Sequence, residues 1–132
     1  MSSPNHSSAN LGIEFEHQDK ICVLRLRGRF AAGDDPEYVL AKLEEVKTHA
    51  CRRLLVDLRE TASIGSLGLG LLVGLYTSVM KSGDGRFVLA GANERVREVL
   101  SLTRLDTIIM QAADLESGLS LLRGESSPAR AN

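Results

Sequence analysis

A chain of 132 residues, 43% apolar and 25% charged, is long enough for one domain with a real core and too short for two ordinary ones. Lys and Arg total 16 against 17 Asp and Glu, a formal net charge of −1, and only 4% of residues are aromatic, with no Trp, so composition offers neither the charge nor the stacking surface that nucleic acid needs. No segment has the layout of a signal peptide and no apolar run is long enough to span a bilayer, so the expected compartment is the cytoplasm.

Residues 1–10 are small and polar and cannot bury enough surface to order themselves; they are expected to form a disordered tail, as are residues 125–132, around one domain over 11–124. Ile13-Glu14-Phe15-Glu16-His17 alternates as a half-buried strand, and Gln18-Asp19 turn the chain into a second strand over Ile21 to Arg29. There Cys22, Leu24 and Leu26 share one face, and Arg25, Arg27 and Arg29 share the other with Ile21 and Val23. Three alternating arginines are read as a solvated strand face rather than an anion site. Cys22 and Cys51 stand apart in sequence, with no C-x-x-C and no His at metal spacing, and Cys22 reads as a buried thiol. Asp35-Pro36 opens a helix, with Asp as cap and Pro in the first turn, whose Val39, Leu40, Leu43 and Val46 fall at core spacing.

The centre of the chain carries the most information. Leu54-Leu55-Val56-Asp57-Leu58 reads as a short buried strand, and the residues from Leu67 to Met80 form a helix that is apolar nearly all the way round. Between them Gly65 and Gly68 permit a tight turn, and Ser66 is placed to cap the helix. In α/β sheets function gathers beyond the carboxyl end of a strand, which is where this turn falls. The glycines fit neither G-x-G-x-x-G nor a P-loop, and Ile64 replaces the first glycine of a nucleophile elbow. Gly70, Gly74 and Ser78 form a row of small side chains, expected to admit either this chain's own sheet or a partner's surface. Asp57 has no His or second acid nearby in sequence and reads as a strand-end hydrogen-bond acceptor; no catalytic set, cofactor site or metal site emerges.

Beyond this helix, Gly83-Asp84-Gly85 turns into a strand at Arg86–Ala90, and Asn93 caps a helix that buries Val96, Val99 and Leu100. Ile108-Ile109-Met110 reads as a last strand, and Asp114 caps a last helix containing Leu115, Leu119 and Leu122. The order strand, strand, helix and three strand–helix pairs predicts an α/β domain with a largely parallel sheet and one added antiparallel strand.

The run Leu55-Val56-Asp57-Leu58 through Ser66-Leu67-Gly68-Leu69-Gly70 resembles the centre of a STAS domain, a family that includes the bacterial anti-sigma factor antagonists, and the resemblance spans roughly residues 13–123. It implies a mixed sheet of four or five strands with about four helices. The family's usual turn is Asp-Ser-Ser-Gly-Leu-Gly, whose second Ser accepts phosphate in switchable members; here those positions read Gly65-Ser66-Leu67-Gly68-Leu69-Gly70. Leu67 thus replaces the acceptor and Gly65 the acid, and Arg104 replaces a glycine common after the Thr103 position. The resemblance implies a protein-binding module, not an enzyme. Its partner would be an anti-sigma factor of the histidine-kinase-like ATPase type, met by Gly65, Ser66, Leu67, Gly68 and Leu69, with Asp34 and Asp35 from a neighbouring loop. No direct contact with nucleic acid and no membrane insertion are expected, and a homodimer is compatible with the sequence. Ser66 is the remaining candidate for phosphorylation. The alternative is a STAS subunit of another assembly, such as a lipid-transport complex or a stress-signalling particle.

Overall fold

The computed structural model describes residues 11–18, 20–30, 36–81 and 83–124. Its elements run β1 (Leu11–Gln18), β2 (Ile21–Phe30), α1 (Pro36–Thr48), β3 (Arg53–Ile64), α2 (Ser66–Met80), β4 (Arg86–Ala90), α3 (Glu94–Leu102), β5 (Met110–Ala112) and α4 (Leu115–Leu122), with a 3-10 turn at Leu105–Thr107. The five strands lie in the sheet in chain order; β1 is antiparallel to β2 and every later pair is parallel. This is the mixed α/β architecture expected from the alternation of patterns. Asp34, Asp35 and the two tails lie outside the described residues.

Period-two alternation splits the sheet residues between two cores. Leu24, Val56, Phe87 and Leu89 face one side, where α1, α2 and α3 contribute Val39, Val46, Leu71, Leu72, Leu75, Val79, Val96 and Leu100. Val23, Leu55, Val88 and Ala90 face the other side and meet Leu122 of α4. Where α4 does not reach, this second face is charged: Arg25 lies 3.3 Å from Glu16 and from Asp57, and Arg27 lies 3.7 Å from Glu14. Arg25 and Arg27 are therefore answered by acids on neighbouring strands.

Four expectations are corrected. The third strand does not end at Leu58 but runs 12 residues to Ile64, because its polar second half continues to pair with β2, from Arg27 opposite Glu60 to Phe30 opposite Ile64. Thr61, buried there, donates its hydroxyl to the Leu26 carbonyl at 2.7 Å. The last strand starts at Met110, since Ile109 is drawn into the core while Ile108 stays 55% exposed. Leu40 is 56% exposed and does not join the core face of α1. Cys22 is not a free thiol: it is joined to Cys51 by a disulfide, tying the start of β2 to the segment after α1.

Candidate functional site

The turn between β3 and α2 is a single residue. Gly65 is extended, at φ −117° and ψ −159°, and the helix begins at once with Ser66. The Gly65 amide donates to the Phe30 carbonyl at 2.6 Å, and the Gly65 carbonyl accepts the first helical bond from Leu69 at 2.9 Å. The turn is thus fastened to the end of β2 on one side and to the helix on the other. Ser66 does not cap the helix: Gly65 holds the cap position with no side-chain bond, and Ser66 is the first helical residue, with its hydroxyl exposed.

The five residues of this turn expected to meet a partner divide by burial. Ser66 is exposed, Gly65, Leu67 and Leu69 are half-buried, and Gly68 is buried. Leu67 and Leu69 rest against the core beneath the helix. Gly68 faces inward, so its role is in packing and not in direct contact: a Cβ there would stand 2.7 Å from Phe30 Cβ and collide with Ile64. The row of small residues also divides. Gly74 lies against Leu43 of α1, 3.1 Å from where its Cβ would be, so the close approach belongs to a helix and not to the sheet. A Cβ on Gly70 would meet none of the described residues within 4 Å. The buried residues of α2 are Gly68, Leu71, Leu72, Leu75 and Val79, which leaves Ser66, Gly70, Val73 and Thr77 as an outward stripe without a single charge.

Asn93 supports this site in a way its sequence position does not announce. Its side-chain oxygen caps α3 by accepting from the Val96 amide at 2.8 Å. Its side-chain nitrogen donates to the Thr61 and Ala62 carbonyls at 3.1 and 3.2 Å, holding the end of β3 just ahead of the turn. The capping half of this arrangement is local and readable; the other half spans more than thirty positions and is not.

Asp57 is embedded in salt bridges and is not poised for acid–base work. Its carboxylate receives Arg59 Nε at 3.0 Å, Arg59 Nη2 at 2.8 Å and the Arg59 amide at 3.1 Å, with Arg25 Nε at 3.3 Å. Burial opposes the charged form, yet the Arg59 bonds and the two guanidinium charges together hold the Asp57 carboxyl below its ordinary pKa. It sits in the middle of β3, opposite Arg25 and Ala90, and not at the strand's end. Among the described residues no group of three or more His, Cys, Asp or Glu side chains is placed to hold a metal ion. No helix among them is long and apolar enough to cross a membrane.

The mixed sheet thus presents an uncharged helix start at a one-residue turn, with the buried Asp57 carboxylate held in salt bridges. The chain belongs to the STAS domain family, whose model matches residues 12–118. It is 35% identical over 81 residues to a Thermotoga neapolitana homologue of a provisionally assigned anti-sigma factor antagonist, covering 61% of this chain and 71% of that one. It is 28% identical over 104 residues to an anti-sigma-B factor antagonist of Staphylococcus aureus, covering 76% and 91%. The solved structure of an anti-sigma factor antagonist from Mycobacterium paratuberculosis superimposes with a TM-score of 0.76 over 93% of this chain and 99% of that one, at 23% identity.

Proposed function

We propose that this chain acts as an anti-sigma factor antagonist: it binds an anti-sigma factor of the histidine-kinase-like ATPase type and thereby frees a sigma factor, with no catalytic step of its own and in the cytoplasm. The names of the relatives support an anti-sigma factor as the partner, and the ATPase type is part of the proposal. The observation that carries the surface is Gly70. A glycine inside a helix costs about 1 kcal/mol relative to Ala, and here none of the described residues uses the space it leaves. Together with Ser66, Val73 and Thr77 it makes an uncharged outer face on which another protein's backbone can lie closely. Leu67, half-buried and without a hydroxyl, stands where the family's acceptor Ser would be. Ser66 is exposed but one residue earlier, which on a helix turns the side chain by about 100°. The reading is therefore a module that binds constitutively, without the phosphoserine switch.

The test is titration calorimetry against histidine-kinase-like anti-sigma factors, followed by intact mass after incubation with ATP. Val73→Asp is the cleaner probe, since Leu67 also touches the core; it should keep the fold and weaken binding by roughly a hundredfold, because a charge is buried unpaired. Unchanged affinity in the folded variant rejects this face. A stoichiometric phosphate gain lost in Ser66→Ala rejects the constitutive reading. Stable capture by a transporter or a large signalling particle, with no binding to any anti-sigma factor, replaces the assignment with the second assembly role.

A further inference from the structure

The Cys22–Cys51 bridge lies at the end of the sheet where β3 and β4 begin, opposite the motif turn. It lines a depression of about 580 Å³. Around the same depression stand Lys20, Arg52, Arg53 and Arg86, with the imidazoles of His17 and His49, and Asp84 is the one carboxylate among these lining residues. Arg52 is 3.3 Å from Asp84, and Arg86 donates to the Leu121 carbonyl at 3.1 Å, so the local surplus of positive charge remains. The two residues differ in exposure: Cys22 is 1% exposed, whereas Cys51 is half-buried.

We propose that this bridge is an exchange site for anionic low-molecular-weight thiols, with Cys51 as the sulfur that is attacked and Cys22 as the resolving thiol. Three physical points converge on it. Attack along the S–S axis requires an approach to one sulfur, and of the two cysteines lining the depression Cys51 is the more exposed. Thiolates are stabilised by nearby Lys and Arg, which offsets part of the cost of forming one on the buried Cys22 as it leaves. A concentrated positive rim raises the local concentration of a thiol that carries carboxylates.

The chemistry balances. An incoming thiolate bonds to Cys51 Sγ, the Cys22–Cys51 bond breaks, and its electron pair leaves on Cys22 Sγ as a thiolate. A second thiolate bonds to the incoming group's sulfur, releasing an external disulfide and the Cys51 thiolate, so that two thiols are oxidised for the one bridge reduced. In reverse, Cys51 attacks an external disulfide, and Cys22 then closes the bridge and expels the remaining thiolate. Opening the bridge unties the segment after α1 from β2, at a distance from the motif turn.

The experiment uses the full oxidised chain, with three probe thiols at equal thiolate concentration: anionic glutathione, neutral 2-mercaptoethanol and cationic cysteamine. Intact mass follows adduct formation and peptide mapping locates it. Glutathione should react with Cys51 roughly tenfold faster than cysteamine at low salt, with the gap closing at high salt. Lys20→Gln and Arg53→Gln, checked for fold by circular dichroism, should each narrow the gap without changing the adduct's position. Three results overturn the proposal: a bridge that resists millimolar glutathione while the fold stays native, equal rates for all three thiols, or free thiols titrating in the protein before any reductant is added. Because none of these measurements involves the anti-sigma partner, the inference stands or falls apart from the binding assignment.

Discussion

Arg104 occupies the left-handed region at φ +65°, where a side chain costs on the order of 1–2 kcal/mol and glycine costs little. The conformation is enforced on both sides: the Arg104 amide donates to the Ser101 carbonyl at 3.1 Å, and its own carbonyl receives the Thr107 hydroxyl at 2.7 Å. This accounts for the glycine that the STAS resemblance implies at this position. Arg104→Gly should raise stability by about 1 kcal/mol, read as a higher urea midpoint with an unchanged slope. At Asp57 the relevant variable is pH. Its folded pKa lies below the unfolded value of 3.8, so its contribution is complete above that value and is lost as pH falls through the lowered one. Stability should therefore hold down to the mid-acid range and then drop, and Asp57→Asn should flatten that drop. At neutral pH the same variant should cost about 1.5–3 kcal/mol, since it removes bonds to charged groups at a buried position.

Within α2, two glycines separated by one residue should respond with opposite sign. Gly68→Ala gains helix propensity but forces a methyl onto Phe30 and Ile64, where overpacking costs about 1–3 kcal/mol, so the midpoint should fall. Gly70→Ala meets none of the described residues and should raise stability by about 1 kcal/mol. If the outer face is the partner surface, the same Gly70 variant should bind the partner more weakly while melting higher, a combination that packing inside the chain cannot produce. Features carried by neighbours in sequence were readable at this scale: the Asn93 and Asp114 caps, the alternation of β1, and the bounds of β4. Those that depend on distant partners were not. Arg59-Glu60-Thr61-Ala62-Ser63 has no apolar alternation, and only pairing with β2 makes it strand. Ile108 and Ile109 look alike in sequence, yet one is exposed and the other buried. Likewise the turn was located in the sequence, but Ser66 was misread as its cap because Gly65 takes that position without a side chain.

For the molecule as a whole, the bridge between Cys22 and Cys51 was invisible in the sequence, since residues 29 apart meet only once β2 and the segment after α1 are in place. Closing a loop of that length stabilises by roughly 3–4 kcal/mol in the chain-entropy account. Cys22→Ser together with Cys51→Ser should lower the unfolding free energy by about that amount, measured by urea titration under non-reducing conditions. An exchangeable bridge is compatible with this figure: the stability sets how much thiol is needed to hold it open, while the charge around it sets how fast it opens. The sheet's strand order has a separate consequence for the chain as it is made. Because the five strands stand side by side in the order of synthesis, no strand is later inserted between two that have already paired. Each can dock on the edge left by its predecessor as it leaves the ribosome, a route built from contacts near in sequence. The residues that precede β3 include both cysteines, so the crosslinked unit can be complete before the strand that carries the motif turn has been translated.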